Sequence, residues 1–188
     1  PGTNVTGTSD LTPIKEQISL LKQLIPDCKT VGILYNSAED NSLFQAEIAK
    51  KEIEANSMTY KVYTVSNSNE IQTVVESMVG KVDAIYIPTD NMIAAGMSTV
   101  SMVATENKIP CIVGESGMVD NGGLATYGID YYNLGKKTAK MAAKILKGEA
   151  SPEDMPIEYL DAAKCELQVN EEIAKELGID VSGLDIGK

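Results

Sequence analysis

Read from its amino end, the chain alternates short apolar runs with longer amphipathic ones. "TPIKEQISLLKQLIP" sets Ile14, Ile18, Leu21 and Ile25 at helical spacing, and Pro26 closes the run. "TVGILYN" is a short apolar strand of the kind buried on both faces. "DNSLFQAEIAKKEIEAN" aligns Phe44, Ile48 and Ala55 on one helical face, with Lys and Glu opposite, and "TYKVYTV" alternates with a period of two. "SNSNEIQTVVESMVG" opens on capping residues, presents Ile71, Val74, Val75 and Met78, and stops at Gly80. "VDAIYIP" is another central strand. "NMIAAGMSTVSMVATEN" reads as one helix, whose Met92, Met97 and Met102 suit core filling. "IPCIVG" and "GLATYGI" follow as further strands, then the amphipathic helix "YYNLGKKTAKMAAKILKG" over 131–148. The tail offers a strand-like "PIEYL" and a short helix "EEIAKELG" capped by Asn170. Repeated β-α order predicts an α/β fold: a parallel, doubly wound sheet with right-handed crossovers.

Composition narrows what such a sheet can do. The 188 residues carry a net charge of -11, and every basic residue is a lysine, with no basic stripe. Nucleic acid is a poor partner for that surface. His and Trp are absent, which removes histidine-based triads and metal sites. Cys28, Cys111 and Cys165 are too scattered for a disulfide framework or a zinc cluster. Cys111, inside "PCIVG", reads as a core thiol. No apolar stretch is long enough to span a membrane, and no signal peptide is visible. "NVT" at Asn4 fits the glycosylation pattern, a short motif common by chance. The opening "PGTNVTGTSD" lacks a Met and reads as mid-structure, so the expectation is a piece of a longer protein.

In doubly wound sheets ligands sit beyond the carboxyl ends of the strands. Three turns belong there: "YNSAEDNS", "PTDN" at 88–91, and "GESGMVDNGG" at 114–123. All mix hydroxyls, amides and a carboxylate, the complement of a small zwitterion or polyol. Each also has a plain alternative. Ser37 or Asp40 would serve as a cap for one helix, and Asp90 or Asn91 for the next. "GKKT" at 135–138 lacks the leading Gly of a phosphate loop, since Asp130 stands there, and no strand is followed by G-x-G-x-x-G. Asp40, Asp90 and Glu115 could converge for acid–base work or for Mg²⁺. Their Asn and Ser neighbours suit the holding of an ammonium at least as well.

The stretches "NVTGTSDLTPIKEQISLLKQLIPDCKTVGILYNSAEDNS", "VDAIYIPTDN" and "IPCIVGESGMVDNGGLATYGIDYYNLGKKTAKMAAKILKG" carry a resemblance over nearly the whole chain. It is similar to ABC transporter substrate-binding proteins of the tryptophan/tyrosine type. That resemblance implies one lobe of a type I periplasmic binding protein fold, a three-layer α/β/α unit, with the first lobe missing. Residues 1–10 would be an inter-lobe crossover, 11–127 the ligand-binding lobe, 128–155 a crossover and a helix facing the missing lobe, and 156–188 the returning strand and terminal helix. Gly2, Gly7 and Gly128 would suit hinge strands.

It further implies a non-enzymatic, extracytoplasmic protein that captures an amino acid, aromatic or other, for an ABC permease. It would need no cofactor or metal, and would touch a membrane only through a lipid anchor on the complete precursor. The expected ligand residues are Asn36, Ser37, Asn41, Ser42, Thr89, Asp90, Asn91, Glu115 and Ser116, with Glu115 the leading partner for an ammonium. Exposing the stripe Leu134, Met141, Ile145 and Leu146 would favour a homodimer of the fragment. Two rivals share the architecture: the sensor domain of a transcription regulator, and a flavodoxin-like enzyme.

Overall fold

A computed structural model describes residues 2–160 and 165–184. Parts of the expected 1–10 and 156–188 segments, namely residues 1, 161–164 and 185–188, lie outside the described residues. Strands β2 (Thr30–Asn36), β3 (Thr59–Val65), β4 (Ala84–Ile87), β5 (Cys111–Val113), β6 (Ala125–Gly128) and β8 (Glu166–Val169) form one sheet in the order β3-β2-β4-β5-β6-β8. All neighbours are parallel except β6 and β8, which run antiparallel. The expected parallel, doubly wound sheet is found, with one antiparallel strand at its edge. The strand, "ELQV", does alternate, with Leu167 and Val169 toward the core, but four residues are too short a run to set its direction or even its presence from sequence.

Strand alternation divides the apolar residues between two layers. Val31, Ile33, Tyr35, Ala84, Tyr86 and Ile112 face α1 (Ile14–Leu24), α2 (Asp40–Ala55) and α8 (Glu171–Leu177). Leu34, Ile85, Ile87, Cys111 and Val113 face α3 (Ile71–Met78), α4 (Asn91–Ala95), α5 (Met97–Glu106) and α6 (Ser116–Asp120). Burial holds each layer's thiol in its neutral form: the Cys28 thiol is pushed up to about 11, Asp83 adding to the effect, and Cys111 to about 12. Gly32 permits the second layer to close, because a Cβ there would stand 2.3 Å from the Met78 methyl.

Two helices depart from the pattern. α2 turns Ala46, Ala49 and Ile53 inward together with Ser42 and Gln45, leaving Phe44 58% exposed. The expected Phe44–Ile48–Ala55 face is therefore wrong by a fraction of a turn, because polar Ser42 and Gln45 serve partners on β4's exit. The single helix expected over 91–107 is two, broken at Gly96, where a Cβ would stand 2.4 Å from Ile71 Cδ1. Met97 fills the core and Met92 is half-buried, but Met102 is exposed, against expectation.

A satellite stands beside the main sheet. β1 (Thr8–Ser9) and β7 (Glu158–Tyr159) pair in parallel, and α7 (Tyr131–Leu146) lies against them. Thr8 and Thr138 share a hydroxyl hydrogen bond of 2.6 Å, and Lys137 pairs with Glu158 at 2.9 Å. Along α7, Leu134 and Met141 are buried within the chain, while Leu146 is 87% exposed.

Candidate ligand-binding cleft

Between β2 and β4 the strand order reverses, and the chain leaves the two strands toward opposite layers. That crevice is the site such a sheet offers. At its first wall, β2 ends on Asn36, which is buried. Its amide donates to Asp90 Oδ2 at 2.7 Å, and its side-chain oxygen accepts from the Ala38 amide at 3.0 Å. Ser37 is exposed and donates to the Val65 carbonyl at 3.3 Å, so it does not cap α2. Neither does Asp40, the first residue of that helix; the preceding Glu39 makes no side-chain cap either.

Glu39 reaches across the crevice instead. Its carboxylate accepts from the Asn91 amide and side chain, both at 3.1 Å, from the Met92 amide at 3.2 Å, and from the Asn36 side chain at 3.3 Å. Burial works to raise its pKa, but these donors outweigh it and hold the group below the ordinary glutamate value. Thr89 is clamped from the same helix. Its carbonyl accepts from the Asn41 side chain at 3.0 Å and the Ser42 hydroxyl at 3.2 Å. Gln45 bonds both its amide and its hydroxyl.

Asp90 does what the capping alternative foresaw, and more. Oδ1 accepts from the Ile93 amide at 2.9 Å, Oδ2 takes the Asn36 amide, and the residue is 3% exposed. Its carboxylate is committed to the backbone. Glu115 is half committed: Oε2 caps α6 through the Gly117 amide at 2.8 Å, and no donor among the described residues reaches Oε1. Gly114 lets this turn approach, since a Cβ would stand 2.4 Å from the Thr89 nitrogen. Ser116 is half-buried, its hydroxyl against the Cα of Gly128.

These turns enclose a cleft of ≈ 380 Å³ lined by Asp10, Asn41, Thr89, Asp90, Asn91, Ala94, Glu115, Met118 and Tyr131. Five of the nine expected ligand residues line it: Asn41, Thr89, Asp90, Asn91 and Glu115. Asn36 and Ser42 are buried behind its wall, Ser37 stands off it, and Ser116 is not among the lining residues. Asp10, Ala94, Met118 and Tyr131 escaped sequence reasoning. Asp10 and Tyr131 lie just after β1 and β6, where the chain passes between the satellite and the main sheet, outside the three polar turns singled out in the sequence. Burial raises the Tyr131 phenol, and the negative charges of Asp10 and Glu115 raise it further. Among the described residues no lysine lines the cleft. Asp10 makes no hydrogen bond among the described residues, and no group of three or more Cys, Asp or Glu there is arranged to hold a metal. A wider hollow of ≈ 580 Å³ runs along α7 beside Lys136, Lys137 and Lys140. It lies beside the β1–β7 pair and not at the switch point of the main sheet, and Lys137 is already paired with Glu158, so the smaller cleft is the better candidate.

Comparison with known proteins extends this geometry. A family model described as ABC transporter substrate binding protein matches residues 1–183. A tyrosine-binding protein of Clostridioides difficile (strain R20291) is 40% identical over 185 residues, which is 98% of this chain and 53% of that protein. The structure of an ABC domain in complex with L-Trp from Streptococcus pneumonia has a TM-score of 0.90 at 42% identity, covering 97% of this chain and 61% of that one. The ligand-free, open structure of a substrate binding protein with adhesive properties from Clostridium difficile has a TM-score of 0.78 at 43% identity, covering 99% and 62%. The chain spans about half the length of the curated relatives it matches.

Proposed function

This chain belongs to the ABC transporter substrate-binding protein family, and from that premise we propose that it is the greater part of one lobe of a receptor that captures an aromatic amino acid for an ABC importer. Its fold is that of the type I periplasmic binding proteins, and its relatives are binding proteins rather than enzymes. The family works outside the cytoplasm, and among the described residues no helix is long and apolar enough to cross a membrane. In the complete protein, on this reading, a lipid on the precursor supplies the membrane attachment and a permease receives the solute.

One observation carries the ligand class. Among the described residues the cleft presents the Asp10 carboxylate and the second oxygen of Glu115 with no lysine to neutralise them. An ammonium is the complementary group. Asn41 and Asn91 offer amides at the same opening, although each is partly committed to the Thr89 carbonyl or to Glu39. Residues 1–10 and 128–155 would be the crossovers to the other lobe, 11–127 the ligand-binding lobe, and 156–188 the returning segment. The distinct β1–β7–α7 satellite supports that division. Closure of a second lobe would complete the grip, because only the closed form satisfies both ends of the ligand.

The test is calorimetric titration of the complete protein with L-tryptophan and L-tyrosine, for wild type and Glu115→Gln. We expect binding by the wild type and a loss of about 2–5 kcal/mol of affinity in the variant, with an unchanged melting temperature. No binding of either amino acid by the wild type sinks the assignment. Equal affinity in the variant would remove Glu115 from the site.

A further inference from the structure

The buried face of α1 is apolar except for Gln17, which is 0% exposed between Ile14, Ile18 and Leu21. A buried amide is costly unless its hydrogen bonds are met, and here they are met in an unusual place. Nε2 donates to the Tyr127 carbonyl at 3.0 Å, with the Gly114 carbonyl and the Thr126 hydroxyl both at 3.3 Å. Oε1 accepts from the Tyr86 hydroxyl at 2.8 Å. One side chain therefore joins α1, β4, the exit of β5 and β6.

The location follows from the ladder. β5 and β6 are paired at a single register position, Ile112 with Ala125. Continuing that register by two residues would bring Gly114 opposite Tyr127. There the strands have already splayed, and the carbonyls of those two residues turn to the amide of Gln17. The residue after Gly114 is Glu115. Four residues after Tyr127 comes Tyr131, and both Glu115 and Tyr131 line the cleft. We infer that Gln17 is a positioning residue for the solute cleft: wedged in the splay between β5 and β6, it sets the separation of the Glu115 turn from the segment that carries Tyr131. Tyr86 orients the wedge by holding the opposite end of its amide. The inference rests on the receptor reading for its functional meaning, and on the geometry alone for the wedge.

Two measurements separate those dependencies. Amide hydrogen exchange on this chain, without ligand, compares wild type with Gln17→Met, which keeps length and removes the amide. We expect faster exchange confined to residues 115–117 and 128–131, with the β2–β4 pairing unchanged. Titration of the complete protein with L-tryptophan then reads the consequence, an affinity lower by about tenfold. Should Gln17→Met fail to fold, Tyr86→Phe removes only the hydroxyl and is expected to produce the same local exchange pattern and a smaller loss in the same direction. Ile53→Val, in the core away from the splay, is the control: a lower melting temperature, unaltered affinity and no selective exchange. Uniform acceleration across the sheet, or unaltered exchange at 115–117 in both folded variants, overturns the inference. Wild-type affinity in both does the same. A wild type that ignores L-tryptophan counts against the receptor reading, while the exchange result still decides the wedge.

Discussion

Asp90 and Glu115 are both acidic residues at strand exits, yet the structure gives them different work. Asp90 satisfies two backbone amides, from Asn36 and Ile93, and is nearly inaccessible. Replacing it by Asn swaps one acceptor for a donor that faces a donor. Asp90→Asn should therefore cost about 1–3 kcal/mol of folding stability, read as a lower denaturant midpoint. Were Asp90 a ligand contact alone, the midpoint would hold. Polar strand exits were legible because hydroxyls, amides and carboxylates interrupt apolar runs at regular intervals. Asp10 and Tyr131 were not legible, since their proximity to Glu115 depends on where the chain passes between the main sheet and the β1–β7–α7 unit. Gln17 looked like any polar residue on an amphipathic helix, and only the splay of two strands explains its burial.

At the scale of elements, the strands and most helices could be read from periodicity, and the misreadings have specific causes. In α2 the inward face is set by Ser42 and Gln45, which hold Thr89, so the apolar pattern pointed to the wrong residues. The break between α4 and α5 falls at Gly96, whose backbone (φ -100°, ψ 8°) leaves the helix and where Ile71 leaves no room for a Cβ, a contact no local signal reveals. A pair of variants measures both. Phe44→Ser, at an exposed position, should move stability by no more than about 0.5 kcal/mol, where a core phenylalanine would lose several times that. Gly96→Ala should destabilise by about 1–3 kcal/mol through overpacking, although alanine is the better helix former. Thermal melts of the two proteins side by side give the answer.

For the molecule as a whole, the main sheet is covered on both faces, whereas among the described residues the satellite is not. Val5, Tyr132, Leu146, Ile157 and Tyr159 are each more than half exposed, and all belong to the β1–β7–α7 unit or its flanks. Apolar surface in water costs about 25 cal/mol per Å², so this chain alone should self-associate through that face. Sedimentation at increasing concentration is expected to show a rising weight-average mass, and Leu146→Glu to suppress it. A concentration-independent monomer would mean the face is tolerated in water. The division into a covered sheet and an exposed satellite leaves no mark in hydropathy. The burial of Leu134 and Met141 was not anticipated, because β1 comes from the other end of the chain.

The two buried thiols give this molecule a pair of built-in stopwatches. Cys28 lies in the α1–α2 layer and Cys111 in the α3–α5 layer, each at most 3% exposed and each with a raised pKa. A thiol must be both deprotonated and accessible to be alkylated, so a maleimide or iodoacetamide reads only the moments when a layer opens. The mass of each tagged peptide over time then reports one face of the sheet independently of the other. Equal labelling rates in mild denaturant mean that the layers part together, as in a single cooperative unit. Earlier labelling of Cys28 would mean that the layer carrying Gln17 is the first to come away.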